Sequence, residues 1–197
     1  VLAIVAAILA VGALLVDRRA PGEVGGVNAE GAEADGVDAL ELARWIRDGK
    51  VGLRVVDVRD SVAFDAYHIP TAQRLPASAL AGVNAAEGET IVLYTDDSTP
   101  AAELARAQRG RGQVGTVYLR GGLAAWANAI LEPTLPAEAS AEERAAFAEV
   151  STLARWFGGM PRILAPGEAA AARPERATGA SPAANAAARV RAIRRGC

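Results

Sequence analysis

The chain has 197 residues, enough for one modest core with extensions and too few for two full-sized domains. Apolar residues make up 51% of it, but 47 residues are alanine and only 5% are aromatic, so the composition overstates the core. The net charge of −2 supplies no overall cationic field for nucleic acid, Cys197 as sole cysteine excludes an intrachain disulfide, and His68 as sole histidine excludes a multi-histidine metal centre.

Residues 1–16, VLAIVAAILAVGALLV, carry no charge before Asp17, Arg18 and Arg19 end the run. At 1.5 Å per residue the run covers about 24 Å, slightly less than the roughly 30 Å hydrocarbon layer. The sequence starts at Val1, and a few preceding residues would complete a span. The run reads as a single transmembrane helix contacting the lipid bilayer, with an export signal or a buried soluble helix as alternatives. No basic region precedes it, as a signal peptide would require. Arg18 and Arg19 place the following domain on the cytoplasmic side by the positive-inside tendency.

Residues 17–35 read as a flexible linker, because PGEVGGVNAEGAEADG at 21–36 has five glycines and no large apolar cluster to offset chain ordering. A folded domain is expected over residues 36–132. Asp38 followed by Glu41 is a capping-box signal for a helix that carries Leu42, Trp45 and Ile46 and ends at Gly49. The runs LRVVDV (53–58), IVLY (91–94) and TVYL (116–119) read as strands covered on both faces, and helical segments lie at 61–67, 100–109 and 123–130. This rhythm predicts an α/β/α sandwich with a central parallel sheet and its ligand loops at the C-terminal strand ends.

Residues 133–164 read as an amphipathic helix followed by an extended arm. Ser140 and Glu143 form a second capping-box signal, and Phe147, Val150, Leu153, Ala154 and Phe157 share one helical side. Gly158 and Gly159 end the helix, and Met160 to Leu164 leaves as the arm. Trp156, Phe157, Met160, Arg162, Ile163 and Leu164 form a dense apolar and cationic cluster, the candidate partner-binding strap; folding back over the domain's own core is the alternative. Residues 165–197 read as an Ala/Pro-rich spacer and a basic tail. Its Arg189, Arg191, Arg194 and Arg195 can meet lipid headgroups, an acidic surface or solvent.

Three segments in order carry a resemblance: VVDVRDSVAFDAYHIPTAQRLP at 55–76, IVLYTDDSTPAAELARAQRG at 91–110 and VYLRGGLAAW at 117–126. Together they resemble the rhodanese-like, or sulfurtransferase-like, domain family, through Asp57, Arg59, Phe64, His68, Ile69, Thr71 and Ala72, then the loop after the second strand, then Gly121, Gly122 and Trp126. The residues read as scaffold. Asp57 at a strand end can accept hydrogen bonds from the turn containing His68, and Arg59 can reach carbonyls or Asp65. His68 reads as a structural, hydrogen-bonded histidine. Gly121 and Gly122 permit a tight turn, and Trp126 supplies core area.

The resemblance implies a nucleophilic cysteine directly after the strand at 91–94, in a loop whose N–H groups surround a persulfide. Thr95 stands there. Its hydroxyl is a weak nucleophile and cannot form a sulfur–sulfur bond. The loop Thr95, Asp96, Asp97, Ser98, Thr99 and Pro100 is degenerate in other ways: two carboxylates occupy an anion site, Pro100 lacks an N–H, and Thr99 reads as the cap of the next helix. Ala101 stands where the related dual-specificity phosphatases of this fold need arginine. No catalytic residue, cofactor or metal is therefore expected; adjacent carboxylates seldom make a metal site. The expected protein is a catalytically inactive, membrane-anchored accessory subunit of a membrane protein complex. The alternative is a sulfur carrier or sulfurtransferase that uses Cys197 or a partner's thiol. Homo-oligomerisation is open.

Overall fold

The structure, a computed structural model, describes residues 36–168. The expected span at 1–16, the linker at 17–35, the spacer and basic tail beyond 168, and Cys197 lie outside the described residues. Among the described residues no helix is long and apolar enough to cross a membrane.

Five parallel strands form the central sheet: β1 (Gly36–Val37), β2 (Leu53–Asp57), β3 (Gln73–Arg74), β4 (Thr90–Tyr94) and β5 (Thr116–Leu119), in the spatial order β1-β5-β4-β2-β3. The folded domain includes Gly36 and Val37, ahead of the Asp38 cap, because they pair with Tyr118 and Leu119 at the sheet edge. The strand period of two sends alternate residues to opposite faces. Val55, Val92, Tyr94 and Leu119 enter one core with Leu42, Ala43, Leu123 and Trp126, while Val56, Ile91, Leu93 and Tyr118 enter the other with Leu80, Ala101 and Ala105. Both faces are thus covered, which explains why the central strands read as nearly unbroken apolar runs.

Helix α1 (Ala39–Arg47) starts where Asp38 accepts from the Glu41 N–H at 2.8 Å. Helix α2 (Ser61–Ala66) is capped in the same way by Asp60, whose carboxylate accepts from the Ala63 N–H. Helix α3 (Thr99–Gly110) covers the second core, and α4 (Gly122–Trp126) runs into a single π turn at Ala127–Leu131 that stays buried through Ala127, Ile130 and Leu131.

The C-terminal extension is integrated into the domain. Strand β6 (Thr134–Leu135) pairs in parallel with β7 (Arg162–Ile163), and α5 (Ala141–Trp156) lies between them in sequence, its N-terminus closed by a complete Ser140–Glu143 capping box. Leu153 and Ala154 are buried, whereas Phe147 and Val150 are only half-buried, so contact concentrates in the last turns of α5. Gly159 passes so close to the Ile130 carbonyl that a β-carbon there would stand 2.0 Å from it, and only glycine permits this crossing.

Candidate functional site

Strand β4 delivers its C-terminus to the loop Thr95–Ser98, and α3 follows immediately. The Thr95 hydroxyl donates to the Asp97 carbonyl at 2.7 Å, so it turns back onto its own loop. The Asp97 carboxylate accepts from the Thr99 N–H at 2.9 Å. Thr99 is therefore the first helical residue and not the cap: the cap position belongs to Ser98, whose own hydroxyl makes no cap bond and instead accepts from the Gly121 N–H at 2.5 Å. Pro100 has no N–H to offer.

The Thr95 and Asp96 carbonyls accept from the Leu123 and Ala124 N–H groups at 2.9 and 3.2 Å, locking the loop to the start of α4. Gly122, at φ +56°, makes this possible: a β-carbon would lie 2.7 Å from both the Thr95 and the Asp97 carbonyl oxygens. Gly121 also takes a left-handed conformation. The pair thus serves the tight turn expected of it, and Trp126 is fully buried below, its indole N–H donating to the Tyr67 hydroxyl at 2.9 Å.

Beneath the loop lies a buried ion pair. Asp57 is fully buried and accepts from Arg59 through the backbone N–H at 2.9 Å and Nη2 at 2.6 Å, with Nε at 3.0 Å completing the fork. Arg59 also donates to the Tyr67 carbonyl at 2.7 Å and to Asp96 at 3.2 Å, and its guanidinium lies 5.7 Å from the Tyr94 ring centroid. Arg59 reaches a carbonyl as expected, that of Tyr67, but its second acid is Asp96 across the sheet end and not Asp65, and Asp57 is satisfied by Arg59 and not by the His68 turn. One of the two loop carboxylates is thereby paired and its repulsion of anions reduced. Burial works against the Arg59 charge, but the hydrogen bonds and charge of Asp57 outweigh it, with Tyr94 and Asp96 adding to them, and hold the guanidinium pKa above its usual range.

His68 stacks on Phe64 with ring centroids 4.0 Å apart, and its Nδ1 lies 3.0 Å from the Phe64 carbonyl. The next residue, Ile69, is fully buried, its N–H donating to the Tyr94 hydroxyl at 3.1 Å. Burial pushes the Tyr94 phenol well above its ordinary range and the Tyr67 phenol up to about 12. Tyr67, Tyr94 and Trp126 thus tie the His68 turn to the sheet, a network that no spacing pattern in the sequence marks. Thr71, in the same turn, sits at φ +69°, a left-handed conformation costly for a β-branched residue. Among the described residues no group of three or more His, Cys, Asp or Glu side chains could hold a metal ion.

The candidate strap divides in two. Phe157 packs edge-on against Trp126 with centroids 5.0 Å apart, Leu164 is buried, and the Met160, Arg162 and Leu164 N–H groups donate to the Leu131, Pro133 and Leu135 carbonyls. The arm is extended but docked on its own domain, because pairing with β6 satisfies its backbone. Trp156, Met160, Arg162 and Ile163 keep their side chains exposed.

The sequence model of the rhodanese-like domain matches residues 38–129. MoeZ of Mycobacterium tuberculosis, a probable adenylyltransferase/sulfurtransferase, is 35% identical over 106 residues, which are 50% of this chain and 26% of MoeZ. The uncharacterized protein slr1261 of Synechocystis is 40% identical over 83 residues, covering 41% of this chain and 46% of slr1261. This chain thus spans about a quarter of MoeZ and just under half of slr1261. Among solved structures, the rhodanese-like domain of the Anabaena Alr3790 protein superposes with a TM-score of 0.41 at 25% identity, covering 47% of this chain and 72% of that one.

Proposed function

We propose that the rhodanese-like domain at residues 38–129 is catalytically silent and serves as a membrane-anchored accessory or interaction subunit of a membrane protein assembly. The observation that carries this reading is the loop after β4. Thr95 occupies the place where the family's thiol is expected, and its hydroxyl is already engaged by the Asp97 carbonyl. Persulfide chemistry needs a thiolate to form the sulfur–sulfur bond, and a hydroxyl cannot. The anion cradle is also depleted, since Thr99 donates its N–H to Asp97 and Pro100 has none. The anchor is argued from the uncharged run at residues 1–16, and the cytoplasmic side from Arg18 and Arg19.

The name MoeZ favours a second reading, in which the chain carries or transfers sulfur through Cys197 or a partner's thiol. One assay separates the two: transfer of sulfur from thiosulfate or a persulfide donor to cyanide by the full chain and by Cys197→Ala. The proposal expects background rates from both; turnover that persists in Cys197→Ala would falsify it, and turnover lost in that variant would favour the second reading. For the anchor, alkaline carbonate should leave the protein in the membrane, and protease added outside intact cells should leave the domain uncut. Recovery of a bound membrane protein after mild detergent extraction, with contacts mapped by cross-linking, tests the accessory role.

A further inference from the structure

Trp156, Met160 and Ile163 are 57%, 54% and 64% exposed, three of the six large hydrophobic side chains left in solvent among the described residues, and they fall within eight residues of chain. Between them the chain turns at Gly158–Gly159, where the Gly159 N–H returns to the Ala154 carbonyl at 2.8 Å. Their backbone is rigidly held: α5 is buried through Leu153 and Ala154, and β7 is paired with β6. Arg155 and Arg162 are exposed in the same segment, against one acid, Glu168, which pairs with Arg162 at 3.0 Å. Exposed aromatic and aliphatic side chains close together in the chain, with arginines among them, match the headgroup boundary of a bilayer, where tryptophan has one apolar and one wet end.

We infer that this edge, Trp156, Met160 and Ile163 with Arg155 and Arg162, docks on the surface of an anionic lipid bilayer. The inference rests on the membrane-anchored reading, because the rest of the chain argues for the bilayer as occupant. The 19 residues from 17 to 35 separate the uncharged run from the domain, and a Gly-rich random coil of that length has a root-mean-square reach of about 24 Å. A link of that reach would hold the patch at roughly millimolar effective concentration beside the membrane, so even a weak contact would be populated. The arginines at 189, 191, 194 and 195 follow the patch in sequence and favour the same anionic surface.

None of the three tryptophans lies in residues 1–35, so their emission reports on the domain alone. The full chain is reconstituted into vesicles of mixed neutral and anionic lipid, with or without brominated acyl chains, and compared with Trp156→Phe and Ile163→Ser. Docking predicts that bromolipid quenches the wild-type emission, that the quenched fraction vanishes or shrinks severalfold in Trp156→Phe, and that it shrinks in Ile163→Ser at unchanged thermal stability. Equal emission with and without bromolipid overturns docking, and a Trp156 signal that instead changes on diluting the protein assigns the patch to a second copy. A partner protein that shields Trp156 from bromolipid overturns docking in the same way. Carbonate extraction of the same vesicles reports the anchor separately: a chain released by carbonate defeats the anchored reading, and quenching on mixing that released chain with vesicles still decides the patch.

Discussion

Replacing Arg59 by alanine tests the buried pair most sharply. Asp57 is fully buried, and Arg59 supplies its guanidinium donors, with the backbone N–H of residue 59 and the Tyr94 hydroxyl surviving the change. Removing one member of a buried pair leaves an uncompensated charge and costs about 3–5 kcal/mol. The Tyr67 carbonyl also loses its donor, whereas the Asp96 contact, with the carboxylate 28% exposed, adds little. Since domains are stable by only about 5–15 kcal/mol, Arg59→Ala should lie near the edge of folding. The assay is urea unfolding of the full chain in mild detergent, followed by near-ultraviolet circular dichroism. Removing both charges in Asp57→Asn/Arg59→Met should recover most of the loss, to within about 1–2 kcal/mol of wild type, because a satisfied buried pair gains little over apolar packing. A cost below about 1 kcal/mol for Arg59→Ala, or a double variant worse than either single one, would refute the reasoning.

Thr71→Asn should stabilise the domain by about 0.5–1 kcal/mol, read as a rise in melting temperature, because asparagine tolerates the φ of +69° that threonine resists; a fall in melting temperature would show that threonine makes a compensating contact. Gly122→Ala should cost more than about 2 kcal/mol in urea unfolding, since its β-carbon meets the Thr95 and Asp97 carbonyls at 2.7 Å. Tyr67, raised to about 12 in the fold, should lower stability as pH rises: the unfolded phenol ionises first, so the folded state binds more protons above pH about 10. Its contribution is present below that pH and lost through about 12, up to about 2 kcal/mol, and Tyr67→Phe should flatten the curve. Thr95→Cys introduces a thiol after β4 but not the spent Thr99 N–H or the one Pro100 lacks, so on the proposed reading its turnover should stay about 10²-fold or more below that of an active rhodanese-like enzyme.

The central strands and the capped helices were legible because short-range rules govern them. Val55 and Val56, or Val92 and Leu93, need only alternate to fill two cores, and Asp38 and Ser140 announce their helices through bonds three residues long. The two-residue strands β1, β3, β6 and β7 were not legible, since no periodicity shows in two residues and their pairing partners lie far along the chain. The same holds at the site. Thr95 and the glycine pair could be placed by their order in the sequence, but the Arg59–Asp96 contact spans 37 residues and appears only when β2 and β4 are set side by side. The sequence of the strap shows apolar density without showing which side chains turn inward; pairing of β7 with β6 buries Leu164 and leaves Ile163 outside.

The most direct test of catalytic silence is whether the chain can hold sulfur at all. Full-length Cys197→Ala is incubated with excess persulfide donor, separated from small molecules, and assayed for cyanide-releasable sulfur and by intact mass. With Thr95 as the residue after β4, the account predicts an unchanged mass and no releasable sulfur above background. Stoichiometric sulfur on this cysteine-free chain would contradict it.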